Sequence, residues 1–165
     1  MSTPVWLPPL VLFNDYGNKE LFYNALYEIY LNDFIRTIPL IKGRPLRQRR
    51  EPRLEGKDKG FWHICGEDDM QNTSGTFRRH ERIRWPKAVL LNRNDLDFVK
   101  VWGEADCPGA QGNIRFHFWF NDEYLVVIEK RSGYFLLITA YCTDYHRKRG
   151  ALEGKYQANC GAYTL

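Results

Sequence analysis

A chain of 165 residues that is 44% hydrophobic, 15% aromatic and 27% charged has room for one domain with its own core, and this composition excludes a disordered chain. No apolar run reaches the roughly 18 to 20 residues of a membrane span, and the opening MSTPVWLPPLVLF lacks the basic start and small-residue cleavage site of a secretory signal; a protein kept in the cytoplasm, away from membranes, is expected. The net charge of +4 is unevenly placed, with eight basic residues (Lys42, Arg44, Arg47, Arg49, Arg50, Arg53, Lys57, Lys59) against three acidic ones (Glu51, Glu55, Asp58) in one segment, and 16 basic against 17 acidic elsewhere.

Residues 14–36, NDYGNKELFYNALYEIYLNDFIR, carry Phe22, Ala25, Leu26, Ile29 and Tyr30 at helical spacing behind capping residues, which predicts a helix. Pro39 and Pro45 bracket a turn, and the basic segment that follows, kept irregular by Pro52 and Gly56, reads as an arm or loop. Such an arm supplies what phosphate binding requires, because each Lys or Arg that replaces a condensed counterion adds salt-dependent affinity; a solvated loop without a partner is the alternative. FWHIC (61–65) reads as a short strand, GEDDMQNTSG (66–75) as a polar loop and TFRRHERIRW (76–85) as a short helix that stops before Pro86. Strands are predicted at 88–91, 98–104, 113–120, 123–131 and 133–141, with short links at Asn121-Asp122 and Arg131-Ser132-Gly133 that suit hairpins. A last helix starts near Thr143 or Asp144 and runs through 157, weakened by Gly150 and Gly154. The expected class is α+β: an N-terminal helix, a twisted antiparallel sheet of about four to five strands, and a C-terminal helix. The whole chain, 1–165, reads as a single domain with a helical part (1–40), the basic arm (41–60) and a core that follows.

Four scattered cysteines, Cys65, Cys107, Cys142 and Cys160, form no CxxC pair, so neither a zinc site nor a disulfide framework is expected. The carboxylates of GEDDM (66–70) offer a place for Mg²⁺, but read better as a solvated loop. Period-two alternation puts Ile114, Phe116, Phe118 and Phe120 on an apolar face under the N-terminal helix, with Arg115, His117 and Trp119 opposite. The same alternation projects the hydroxyls of Thr139 and Tyr141 together from the end of the last strand. In KGFWHI (59–64), His63 is either a satisfied core histidine or a group at the edge of a site where a proton moves.

KGFWHI, then RRHERIRWP, then a strand ending in LLITAY and a basic final helix, resemble in combination the phage-associated branch of the barnase–EndoU–colicin–RelE superfamily of metal-independent ribonucleases and toxins. The similarity covers roughly residues 55 to 156, with 61–156 as the nuclease core. The resemblance implies a helix-plus-antiparallel-sheet fold whose open sheet face holds RNA, with a tRNA favoured, and an endoribonuclease that uses the substrate's own 2′-OH to leave a 2′,3′-cyclic phosphate. It also implies no metal or cofactor, a bacterial host cell and an acidic immunity or antitoxin partner. Carried over by position, His63 matches the histidine of the FWH motif and acts as general acid or base; Arg79 and Arg82 fall in the arginine motif as phosphate clamps; Thr139 and Tyr141 match the TAY motif and position the phosphate. His117 is the reserve for a second proton role. RNA contacts are expected from Arg47, Arg49, Arg50, Arg53, Lys57 and Lys59 of the arm and from Arg78, Arg84, Trp85 and Arg115, with Trp62, Trp85 or Trp119 stacking an unpaired base. Members of the superfamily are often the C-terminal toxin of a longer delivery protein, whereas about fifty residues precede the similarity here. Two other readings stand beside the nuclease: a non-catalytic RNA-binding module of the same fold, and a phage-encoded interaction or inhibitor protein.

Overall fold

Phe22, Leu26, Tyr30 and Phe34 recur at every fourth residue, and this stripe seats the N-terminal helix on the sheet. The computed structural model describes residues 2–66, 77–106, 112–144 and 146–165. Helix α1 (Lys19–Tyr30) begins where the Asn18 side chain accepts the Leu21 N–H at 2.9 Å. A strict four-residue spacing drifts around a helix of 3.6 residues per turn. The wider π-helical turns of Leu31–Arg36 wind back against that drift and keep Phe34 buried.

The remaining elements are β1 (Leu40–Ile41), β2 (Arg44–Arg47), α2 (Lys59–Cys65), α3 (Trp85–Leu91), β3 (Val99–Ala105), β4 (Ile114–Phe120), β5 (Tyr124–Lys130), β6 (Phe135–Cys142) and α4 (His146–Asn159). They form one sheet in the order β1-β2-β6-β5-β4-β3. β3 to β6 are the expected antiparallel meander, and Asn121 and Asp122, both at positive φ, make the turn between β4 and β5. The class is α+β as expected, but the sheet is larger and mixed. Part of the basic arm is strand: Leu46 and Arg47 pair in parallel with Phe135 and Leu136 of β6, because Leu46 has a place in the core.

Two further expectations are corrected. FWHIC is a helix: a short apolar run suits a buried helix as well as a strand, and the helical turn buries Phe61, Trp62, Ile64 and Cys65 while leaving His63 half-buried. AVLL is helical too, and Pro86 starts α3 where the expectation was that it would end a helix, since the first turn needs no N–H from it. Of the arginine-rich segment before it, only His80–Arg82 forms a 3-10 turn. Residues 67–76, hence most of GEDDMQNTSG with its carboxylates, and Cys107 lie outside the described residues. Among the described residues no helix is long and apolar enough to cross a membrane.

The sheet is covered on both faces. Phe116, Phe118 and Phe120 of β4 join Val126, Ile128, Leu137 and Ala140 against α1, α2 and α3, as the alternation predicts. Trp102, Trp119, Leu125 and Val127 form a smaller cluster on the other face with Leu152 of α4. In β6 a bulge resets the alternation: Thr139 stands opposite Val127 and Leu137 opposite Ile128, so Ile138 is the extra residue.

Gly60 explains the glycine of KGFWHI. A Cβ there would stand 2.9 Å from the Tyr30 hydroxyl and 3.0 Å from the Arg49 carbonyl, whereas at Gly150 and Gly154 of α4 it would meet nothing. Gly60→Ala should therefore lower stability by about 1–3 kcal/mol through overpacking, and Gly154→Ala should raise it by about 0.5–1 kcal/mol through helix propensity, both read from urea midpoints. Equal effects of the two substitutions would contradict this packing of α2 under Tyr30.

Candidate functional site

β2 accompanies β6 only as far as Leu136, so among the described residues the outer edge of β6 beyond it lacks a strand partner, and the C-terminal end of α2 docks there. His63 Nδ1 lies 3.1 Å from the Ile138 carbonyl oxygen. A carbonyl only accepts, so Nδ1 must carry a proton, and in the neutral ring the lone pair belongs to Nε2. Arg79 completes the joint. Its Nε–H is shared between the Ile64 carbonyl at 2.9 Å and the Ala140 carbonyl at 2.7 Å, and its Nη2 donates to the His63 carbonyl and, at 2.9 Å, to Thr139 Oγ1. Thr139 in turn donates its single proton to the His63 carbonyl at 3.0 Å.

Around this joint lies an open hollow of about 300 Å³ lined by Trp62, His63, Gly66, Arg79, Ile138 and Thr139. Three residues assigned to the site from sequence, His63, Arg79 and Thr139, are thus brought together by one helix end and one strand edge. Arg79 is half-buried, and among the described residues no carboxylate pairs with it and no acceptor engages Nη1. The arrangement offers a ring of fixed tautomer beside a guanidinium whose plane is locked and whose outer N–H pair is available to an oxyanion.

The other expected residues sit elsewhere. Tyr141 is half-buried on the α4 side of the sheet opposite Leu125, with the Lys148 ammonium 4.0 Å from its ring centre. Burial raises its phenol pKa, and the nearby Arg79 charge pulls the other way. Arg82 donates to the Arg78 carbonyl at 2.8 Å and covers the Trp85 ring at 4.6 Å. The register aligns His117, Val127 and Thr139 across β4, β5 and β6, which puts His117 two strand spacings, about 10 Å, from Thr139. Its ring leans towards β3, stacked 4.9 Å from Trp102, and burial lowers its pKa to about 4, against the opposing pull of Glu104. His80, a histidine that sequence reasoning did not single out, is buried beside Tyr23 and Phe77, and burial likewise lowers its pKa to about 4.

Several of the expected RNA contacts are structural. Trp62, Trp85 and Trp119 are buried and donate their indole N–H to Leu54 O, Pro8 O and Thr143 Oγ1, so none stands out as an exposed stacking platform, although Trp62 borders two hollows. Arg115 is held by Glu129 at 2.8 Å and Asp106 at 3.2 Å. Arg50 and Arg53 grip the buried carboxylate of Asp58 at 2.9 and 3.3 Å, so the arm is a folded wall at this point. Arg47 stacks on Tyr134, Lys57 lies 5.8 Å from the centre of the Tyr27 ring, and Arg78 pairs with Asp144. Arg49 and Arg84 are exposed, and Lys59 is half-buried. Among the described residues no three His, Cys, Asp or Glu side chains are grouped to hold a metal ion.

No protein-family model, no curated protein and no solved structure matches the chain.

Because Arg79 joins α2 to β6 through four oxygen acceptors, Arg79→Ala should lower stability by about 3 kcal/mol. It should also speed amide exchange in α2 selectively, with Arg79→Lys recovering less than half of the loss. Unchanged exchange in 59–65 would contradict the joint.

Proposed function

We propose that this protein is a metal-independent endoribonuclease whose centre is the hollow at the β6 edge. The observation that carries the reading is the Nδ1 contact of His63 with the Ile138 carbonyl, which fixes the ring in a hollow it shares with Arg79, whose Nη1 no acceptor engages among the described residues. His63 Nε2 takes the proton of a ribose 2′-OH; the oxygen so released attacks the adjacent phosphorus. Arg79 Nη1 donates two hydrogen bonds to the non-bridging oxygens as charge develops on them. The bond from phosphorus to the 5′ oxygen breaks, that oxygen takes a proton from water, and a 2′,3′-cyclic phosphate remains. Thr139 acts through Arg79, since its proton is already given to the His63 carbonyl. His117, two strands away, has no part in this step. The resemblance of FWHI, ERIRWP and ITAY to the phage-associated ribonuclease toxins supports the same chemistry, with tRNA as the favoured substrate and an acidic immunity protein as the favoured partner.

Purified protein incubated with total tRNA in EDTA should give fragments ending in 2′,3′-cyclic phosphate. His63→Ala should reduce the rate by about 10² to 10⁴-fold while the protein remains folded. Failure of the wild type to cut tRNA, mRNA or rRNA would overturn the proposal, and RNA binding without any cutting would leave the non-catalytic module in its place.

A further inference from the structure

Trp62 stands between two hollows. One holds His63 and Arg79; the other, of about 240 Å³, is lined by Pro52, Arg53, Leu54, Lys59 and Trp62. Its walls are fixed by hydrogen bonds. The Trp62 indole donates to the Leu54 carbonyl at 3.0 Å, Leu54 and Lys57 exchange N–H···O bonds at 3.0 Å each, and the Gly60 N–H reaches the Arg49 carbonyl at 2.6 Å. Asp58 locks the same turn by accepting from the Tyr27 hydroxyl and pairing with Arg50 and Arg53.

The two cations of this hollow are not equivalent. Arg53 is partly neutralised by Asp58 at 3.3 Å and Glu51 at 3.7 Å, whereas Lys59 has no acidic partner among the described residues. A pre-formed hollow with one unneutralised ammonium and walls of proline, leucine and indole suits an anion attached to a flat, largely apolar body. A nucleotide of an unpaired strand has that chemistry, and a base paired in a duplex is not free to enter.

We infer that the Lys59 hollow is a subsite for the nucleotide next to the scissile phosphate, with Lys59 as its phosphate contact and Trp62, Pro52 and Leu54 as its apolar walls. The inference rests on the ribonuclease reading of the neighbouring hollow. It makes the substrate single-stranded on one side of the cut and ties strand length to rate.

The test compares wild type and Lys59→Ala on two substrates carrying the same cleavable step: a diribonucleoside monophosphate, whose only phosphate is the scissile one, and an unstructured octaribonucleotide. For the octamer, Lys59→Ala should lower kcat/KM by about tenfold, the loss expected for one charge-assisted contact. The slope of log kcat/KM against log salt should become shallower by about 0.7. The rate on the diribonucleoside monophosphate should stay unchanged, which also shows that the variant is folded. Equal losses on both substrates, or no loss on the octamer, would overturn the subsite and leave the ribonuclease reading standing; failure of the wild type to cut either substrate would overturn both.

Discussion

Past Leu136, β6 has no neighbouring strand on its outer side among the described residues, and its carbonyls at Ile138 and Ala140 need donors from elsewhere. His63 gives one and Arg79 the other. The same guanidinium also takes the Ile64 and His63 carbonyls at the end of α2, groups that a helix leaves unsatisfied by its own geometry. A helix of seven residues cannot hold itself in water and depends on such docking. One side chain therefore ends a helix and closes a sheet edge together, and the position of the imidazole follows from it.

This arrangement makes scaffold and chemistry overlap. Arg79 has its Nε–H and both Nη2 protons committed to the fold, and among the described residues nothing accepts from its Nη1 pair. Thr139 has its hydroxyl proton committed as well. The bulge at Ile138 serves the same joint, because it breaks the alternation where the strand leaves β2 and brings a carbonyl and a hydroxyl to face α2. The basic arm joins in through Asp58: a buried carboxylate gathers Arg50, Arg53 and Tyr27, and so turns a charged segment into a wall beside Trp62.

The meander was legible in the sequence because the strands from 98 onward are alternating stretches or short apolar runs, with turn residues at Asn121-Asp122 and Arg131-Ser132-Gly133; the observed strands Val99–Ala105, Ile114–Phe120, Tyr124–Lys130 and Phe135–Cys142 begin and end within about two residues of those expected. The first helix was legible from Phe22, Ala25, Leu26, Ile29 and Tyr30 at helical spacing behind capping residues, but not the π-helical turns of Leu31–Arg36 that keep Phe34 buried. FWHIC was not legible as a helix, since five residues give no period, nor was AVLL, where Pro86 marks a beginning as readily as an end. The parallel pairing of RPLR with β6 is a long-range contact with no local signature. At the site, motif order pointed to His63, Arg79 and Thr139, and the fold joins them. Thr139 and Tyr141 both follow the bulge and keep their common face, but Tyr141 lies one step further along, opposite Leu125 and beside Lys148, outside the hollow; Trp62, Trp85 and Trp119 were read as stacking surfaces when their bulk was needed in the cores.

The docking of α2 on β6 and the proposed base both depend on the state of one ring. Nitrogen-15 chemical shifts of His63 in the folded, RNA-free protein at neutral pH measure it directly. A protonated Nδ1 with a pyridine-like Nε2 is the predicted result, with the proton on Nδ1 shared with the Ile138 carbonyl. A proton on Nε2 with an unprotonated Nδ1 would contradict the docking of α2 on β6 as described, and with it the base that the proposed cleavage requires.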